Sequence, residues 1–185
     1  MIALRIVALA ALQTAALAYM IFDRTSILDS HDVVTLTVKP VDPQDMFRGD
    51  YVRFGYDISQ IDAGRLAGDH NCADGGWCYV TLANQNGAWL PVAVNGVMPS
   101  RAPGTVVMRG KVSNVFASAA GSAPTVRLDY GIESFFVPQG QGKSIEEERQ
   151  KGDLTADIAV DAQGRGAIKS LRRANGEVVY VESLF

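Results

Sequence analysis

The residues best equipped for chemistry fall in two stretches. In the first, Pro40 to Ile58 (P-V-D-P-Q-D-M-F-R-G-D-Y-V-R-F-G-Y-D-I), Asp50 follows a glycine and has Asp42, Asp45, Asp57, Arg48, Arg53, Tyr51 and Tyr56 close by in sequence. The second, Tyr130 to Lys143 (Y-G-I-E-S-F-F-V-P-Q-G-Q-G-K), combines aromatics, the carboxylate of Glu133 and a glycine-rich turn. Two acids can share proton-transfer work only if they face one cavity with separated pKa values. Converging aromatics and charges can instead line a ligand pocket. Against both stands a structural role, because an Asp beside a tight turn bonds backbone donors or a nearby Arg such as Arg48 or Arg53. That reading carries the greater weight for Asp50.

Local physics sets what must position these groups. Asp42 suits the cap of a short helical turn, with Pro43 just inside it needing no donor, and Gly49 suits the turn's end, where positive φ is common. From Tyr51 the side chains alternate as in a strand: Val52, Phe54, Tyr56 and Ile58 on a core face, Tyr51, Arg53, Gly55 and Asp57 on the other. With Gly49, Asp50, Tyr51 and Tyr56 in place, and Phe54 where a Leu stands in the pattern, the stretch resembles the signature of a family of small membrane-anchored bacterial proteins named for a G-D-Y-x-x-L-x-Y motif. Tyr130 to Lys143 resembles a second block of the same family. The resemblance implies a retained membrane anchor. It also implies a multi-span membrane protein as partner, since relatives are often fused to one or encoded beside it.

The chain has 185 residues and a net charge of -3, which suits an anchor plus one domain and supplies no basic field for nucleic acid. Lys169, Arg172 and Arg173, with Arg165 nearby, read as the solvated face of a hairpin. Ile6 to Phe22 carries no charge, and as helix it spans about 26 Å, near the lower limit for crossing a bilayer. Arg5 before it favours a cytoplasmic N-terminus and an exported remainder, placing the domain in the periplasm of an inner-membrane protein. Ala16-Leu17-Ala18 has the form of a signal-peptide cleavage site, but the apolar run continues to Phe22, as an anchor requires. Ala8, Ala11, Ala15 and Ala18 recur at helical steps and offer a small-residue stripe for another helix, and Gln13 places an amide at mid-span. Ordinary alanine richness explains the stripe equally well.

The expected layout is anchor 1–22, a short juxtamembrane linker 23–32, and an exported β-domain 33–185. Val34, Leu36 and Val38 alternate with polar residues; Tyr79–Leu82 and Trp89–Val94 flank the hairpin signal Asn86-Gly87; Val106–Val112 reads as a strand bulged at Gly110. Leu154–Val160, Ala167–Leu171 and Val178–Val181 form a meander. Ser59–Gly76 reads as a surface loop. Cys72 and Cys78 at its end suit one disulfide in an oxidising compartment better than a metal site with Asp69 and His70. Ser144 with Glu147 fits a capping box, opening a short helix to about Lys151. These add to about nine strands, an all-β sandwich or partly closed barrel, mostly antiparallel, with one transmembrane and one short helix.

Three functions compete. The first is a non-catalytic accessory or assembly subunit of a membrane complex, and the second a binding module for a small ligand or envelope component using Arg48, Asp50, Tyr51, Tyr56 and Glu133. The third is a membrane-anchored hydrolase, for which the Gly-Asp turn just beyond an anchor looks slightly like a box of signal-peptidase-type Ser/Lys proteases. Ser26 and Ser30 lack the expected setting, and Lys111 could serve only by geometry. The accessory role is favoured, with the lipid bilayer and a polytopic protein as partners, no cofactor and no metal.

Overall fold

The computed structural model describes residues 2–40, 51–116, 124–136, 154–173 and 175–182. Helix α1 (Ile2–Leu28) is followed by β1 (Asp32–Pro40), β2 (Tyr51–Tyr56), β3 (Gln60–Asp62), β4 (Trp77–Gln85), β5 (Ala88–Asn95) and β6 (Thr105–Phe116). Then come β7 (Thr125–Asp129), β8 (Ser134–Phe136), β9 (Leu154–Val160), β10 (Gly166–Arg173) and β11 (Val178–Val181). They form two sheets, ordered β11-β10-β9-β1-β2-β8 and β3-β7-β6-β4-β5, with every strand pair antiparallel. One sheet curls into a half-barrel, so the all-β expectation holds.

Alternation builds the core. Val34, Leu36 and Val38 of β1, Val80 and Leu82 of β4, Val126 and Leu128 of β7, and Ala156 and Ile158 of β9 turn inward into one buried cluster. Asn86 (φ 55) and Gly87 (φ 91) both take the left-handed conformation that a two-residue hairpin needs. The chain changes sheets twice at one place: β2 passes through a 3₁₀ turn (Asp57–Ser59) into β3, and β7 returns through residues 130–133 into β8.

Several local expectations change. The motif strand ends at Tyr56, because Asp57–Ser59 turns to cross between the sheets, although Phe54, Tyr56 and Ile58 all reach the core as expected. The bulge in β6 lies between Val112 and Asn114, not at Gly110. The stretch 59–76 is no free loop: it contains β3, and Ala67 N–H donates to Val92 O (3.1 Å) while Val94 N–H donates to Ala67 O (2.8 Å), covering the edge strand β5. Gly68 (φ 117) permits this, since a Cβ there would stand 2.0 Å from Val94 O. Cys72 and Cys78 close the stretch at disulfide-bonding distance, with Cα atoms 5.3 Å apart. The expected turn at Asp42–Gly49 and the helix from Ser144 lie outside the described residues.

Helix α1 is long and apolar enough to cross a membrane, and its residues 2–22 are exposed. It continues to Leu28, so most of the segment read as linker is helix, and β1 begins four residues later at Asp32. Ile27 and Leu28 are buried against Ala167 on the outer face of the β9–β10 pair. Arg165 Nη1 donates to both carboxylate oxygens of Asp23 (2.7 and 2.9 Å), and its Nε donates to Asp161 Oδ2 (2.6 Å). Ser30 Oγ donates to Val160 O. Apolar burial and a two-carboxylate Arg clamp therefore join helix to sheet, and the Ser30 hydroxyl bond ties the connection just past the helix to β9.

The same outer face holds Asp157, 8 % exposed. It accepts from Thr35 Oγ1 (2.8 Å), Ser170 Oγ (2.7 Å) and Arg172 Nε (2.5 Å). Lys169 and Arg172 are exposed, as a solvated face requires, but Arg165 and Arg172 are also ion-paired, and Arg173 pairs with Glu177 at 2.7 Å. Burial alone raises the Asp157 pKa, but the bonds from Ser170, Arg172 and Thr35 outweigh it and hold the carboxyl below its usual value. A folded pKa below the unfolded one gives stability that is present above the ordinary carboxylate range and is lost as pH falls through the folded value. An Asp157→Asn chain should accordingly lose less of its stability between pH 5 and pH 2 than the parent, as thermal unfolding across that range would measure; parallel curves would refute the role given to this carboxylate.

Candidate functional site

The two chemistry-bearing stretches meet at the crossing between sheets. Strands β2 and β8 pair with Tyr51 opposite Phe136, Val52 opposite Phe135 and Arg53 opposite Ser134. Phe54 N–H then donates to Glu133 O at 2.7 Å. Beyond this point both chains leave the ladder, and their carbonyls need other donors.

Two tyrosines supply them reciprocally. Tyr56 Oη donates to Ile132 O (2.9 Å), and Tyr130 Oη donates to Ile58 O (2.8 Å), so each chain's phenol satisfies the other chain's backbone. Glu133 closes the turn between them: Oε1 accepts from Tyr130 N–H (2.6 Å) and Oε2 from Gly131 N–H (2.8 Å). Gly131 adopts φ 80, which allows this tight carboxylate cap. Ser59 Oγ accepts from Tyr56 N–H at 3.1 Å. Gly110 makes room for the Tyr130 ring, because a Cβ there would stand 3.2 Å from Tyr130 Cε1 and 3.0 Å from Leu128 Cβ. The Phe54 and Tyr56 rings meet edge to face at 6.5 Å.

The electrostatics match a structural clasp. Burial, followed by the nearby Glu133 carboxylate, raises the pKa of Tyr56 far above the usual phenol value, and the same two causes in the same order raise that of Tyr130. Both phenols are therefore neutral donors across the physiological range. On the surface beside them, Lys39, Asp57, Gln60, Asp62 and Arg127 line an open recess of about 500 Å³, with Lys39 Nζ 2.5 Å from Asp57 Oδ1. Its mixed charges could hold a small polar ligand, whereas the exposed ion pair itself contributes little stability.

The chain matches the family model described as "GDYXXLXY protein" over residues 13–171. It belongs to that GDYXXLXY family. No curated protein and no solved structure matches the chain.

Of the family-motif residues expected to form a site, the structure brings together Phe54, Tyr56, Tyr130 and Glu133. Tyr51 takes part through backbone pairing, and Arg48, Gly49 and Asp50 lie outside the described residues. Ala8, Ala11, Gln13, Ala15 and Ala18 all lie on the exposed stretch of α1. Among the hydrolase candidates, Ser26 Oγ donates to Asp23 O and Ser30 Oγ to Val160 O, while Lys111 is exposed on β6. Asp69 accepts from Asn71 and Gly96 N–H, and the His70 ring bonds Leu66 O. Gly110, Asp23, Asp161 and Arg165 were not foreseen in these roles. The D-A-Q-G-R run hinted at the Asp161–Arg165 pair, but nothing local points to Asp23.

Tyr56→Phe and Tyr130→Phe should each cost about 1–3 kcal/mol, because each leaves a buried carbonyl without its donor. Both raised phenol pKa values also imply stability that is full below the unfolded phenol pKa and is lost as pH rises past about 10. Denaturant unfolding of the full chain in detergent should show that alkaline loss shrinking in each variant. Unchanged stability in both would dismiss the clasp.

Proposed function

We propose that this GDYXXLXY protein is a non-catalytic single-pass membrane protein whose exported β-domain is an accessory or assembly subunit of a membrane protein complex. In this reading it lies in the bacterial inner membrane, with its N-terminus in the cytoplasm and the domain in the periplasm. The joint between α1 and the β9–β10 pair carries the proposal. A domain that must search for distant ligands gains from a flexible tether. Here Ile27 and Leu28 are packed, and Asp23 is clamped by Arg165, so the helix presents the domain at one attitude. A fixed attitude suits a subunit that packs simultaneously in and above the bilayer. The exposed alanine stripe and the mid-span Gln13 give α1 a surface for a second helix. The motif's described polar groups support the non-catalytic part, since Tyr56, Tyr130 and Glu133 are all spent on backbone bonds.

A binding module is the second reading. The recess beside β2, lined by Lys39, Arg127, Asp57 and Asp62, is the observation that favours it.

The deciding experiment is mass spectrometry of proteins that co-purify with the intact chain from native membranes in mild detergent. A second chain, with residues 6–22 exchanged for an unrelated spanning helix, is run beside it. The account expects a stoichiometric polytopic partner with the native anchor and its loss on exchange. No partner with either chain would reject the accessory role and leave the recess to ligand screening.

A further inference from the structure

Where the apolar part of α1 ends, the helix and the β-domain enclose a second recess of about 290 Å³. Asp23, Arg24 and Ile27 line it from the helix, and Trp77, Arg109 and Arg165 are among its residues from the domain. Three guanidinium groups therefore border one small space, but they are not equivalent. Arg165 is neutralised by Asp23 and Asp161. Among the described residues, Arg24 and Arg109 have no carboxylate partner. Arg109 lies 4.7 Å from the centre of the Trp77 ring, an arrangement that holds the guanidinium plane while leaving its N–H edge available. Trp77 is itself 50 % exposed. Gly131 and Gly166 also line the recess, so no side chain from either fills it.

We propose that this recess binds the phosphate of an anionic phospholipid headgroup. Its position selects that occupant. Phe22 is the last residue of the uncharged run and Asp23 and Arg24 follow directly, so a spanning α1 puts the recess at headgroup level. Tryptophan favours that zone, where its ring meets the acyl boundary and its N–H meets water. Two uncompensated guanidinium groups suit a phosphate, which accepts the paired N–H bonds that Arg presents. Anionic lipid surfaces attract such groups additively. The lipid would thus be a third element of the helix–domain joint, bridging Arg24 of the anchor and Arg109 of the domain. The inference rests on α1 spanning the membrane, which incorporation into lipid nanodiscs tests separately.

Native mass spectrometry of the full-length chain in mild detergent, with phosphatidylglycerol added, tests the site. The parent should retain one lipid, and the Arg24→Gln/Arg109→Gln chain should bind it about tenfold or more weakly, because two attractive charges are gone. Arg24→Gln alone, on an exposed helical turn, carries no risk to folding and should weaken binding several-fold. Arg65→Gln, whose side chain pairs with Asp62 outside the recess, should change nothing. Equal retention by the parent and both recess variants would overturn the proposal. So would displacement of the lipid by millimolar inorganic phosphate, which would assign the recess to a soluble anion.

Discussion

The structure depends on closing one crossing. Two chain segments leave one sheet for the other side by side, and at that point the backbone ladder that satisfies their polar groups stops. Ile58 and Ile132 would bury carbonyls without donors, a cost comparable to several ordinary hydrogen bonds. Tyr56 and Tyr130 remove that cost by exchanging phenols between the segments. Each ring also fills core volume, so one residue type supplies both packing and polar satisfaction. The second tyrosine of the family signature therefore has a definite physical task, and Glu133 completes it by holding the returning turn.

Closure of the sheets in turn fixes the outer face of β9 and β10. In an ordinary sandwich strand that face would be solvated and polar. Here Ala159 and Ala167 are wholly buried on it, beside a carboxylate network centred on Asp157. The small side chains let the end of α1 approach, and Arg165 reaches from the β9–β10 turn to Asp23. This half-buried pair, with one guanidinium held by the carboxylates of Asp23 and Asp161, favours one geometry over many. The apolar helix and the domain become one body, and the proposed accessory role rests on that rigidity more than on any single group.

Much of the domain was legible locally. Alternation in Val34–Val38 and Leu154–Val160, and the Asn86-Gly87 turn, identify strands because burial on one face imposes period two. The three-residue strands β3 and β8 are too short to carry a period, and β3 is stabilised by pairing with the distant β7. Contacts that span the chain left no local trace: Tyr56 meets Ile132 76 residues away, Tyr130 meets Ile58 72 away, and Arg165 meets Asp23 142 away. Gly110 looked like a bulge because a glycine in a strand has several causes, of which close approach of a ring is one. The motif residues were legible as a group, whereas the task of Tyr56 required the partner segment.

The claim that helix and domain move as one body is tested most directly by electron–electron distance measurement in lipid nanodiscs. Spin labels would be placed at Tyr19→Cys on the exposed helix and Gln85→Cys at the β4–β5 turn. The account predicts one narrow distance distribution for the parent joint, which Arg165→Gln broadens. A broad distribution with the joint intact would show a loose tether and contradict the account.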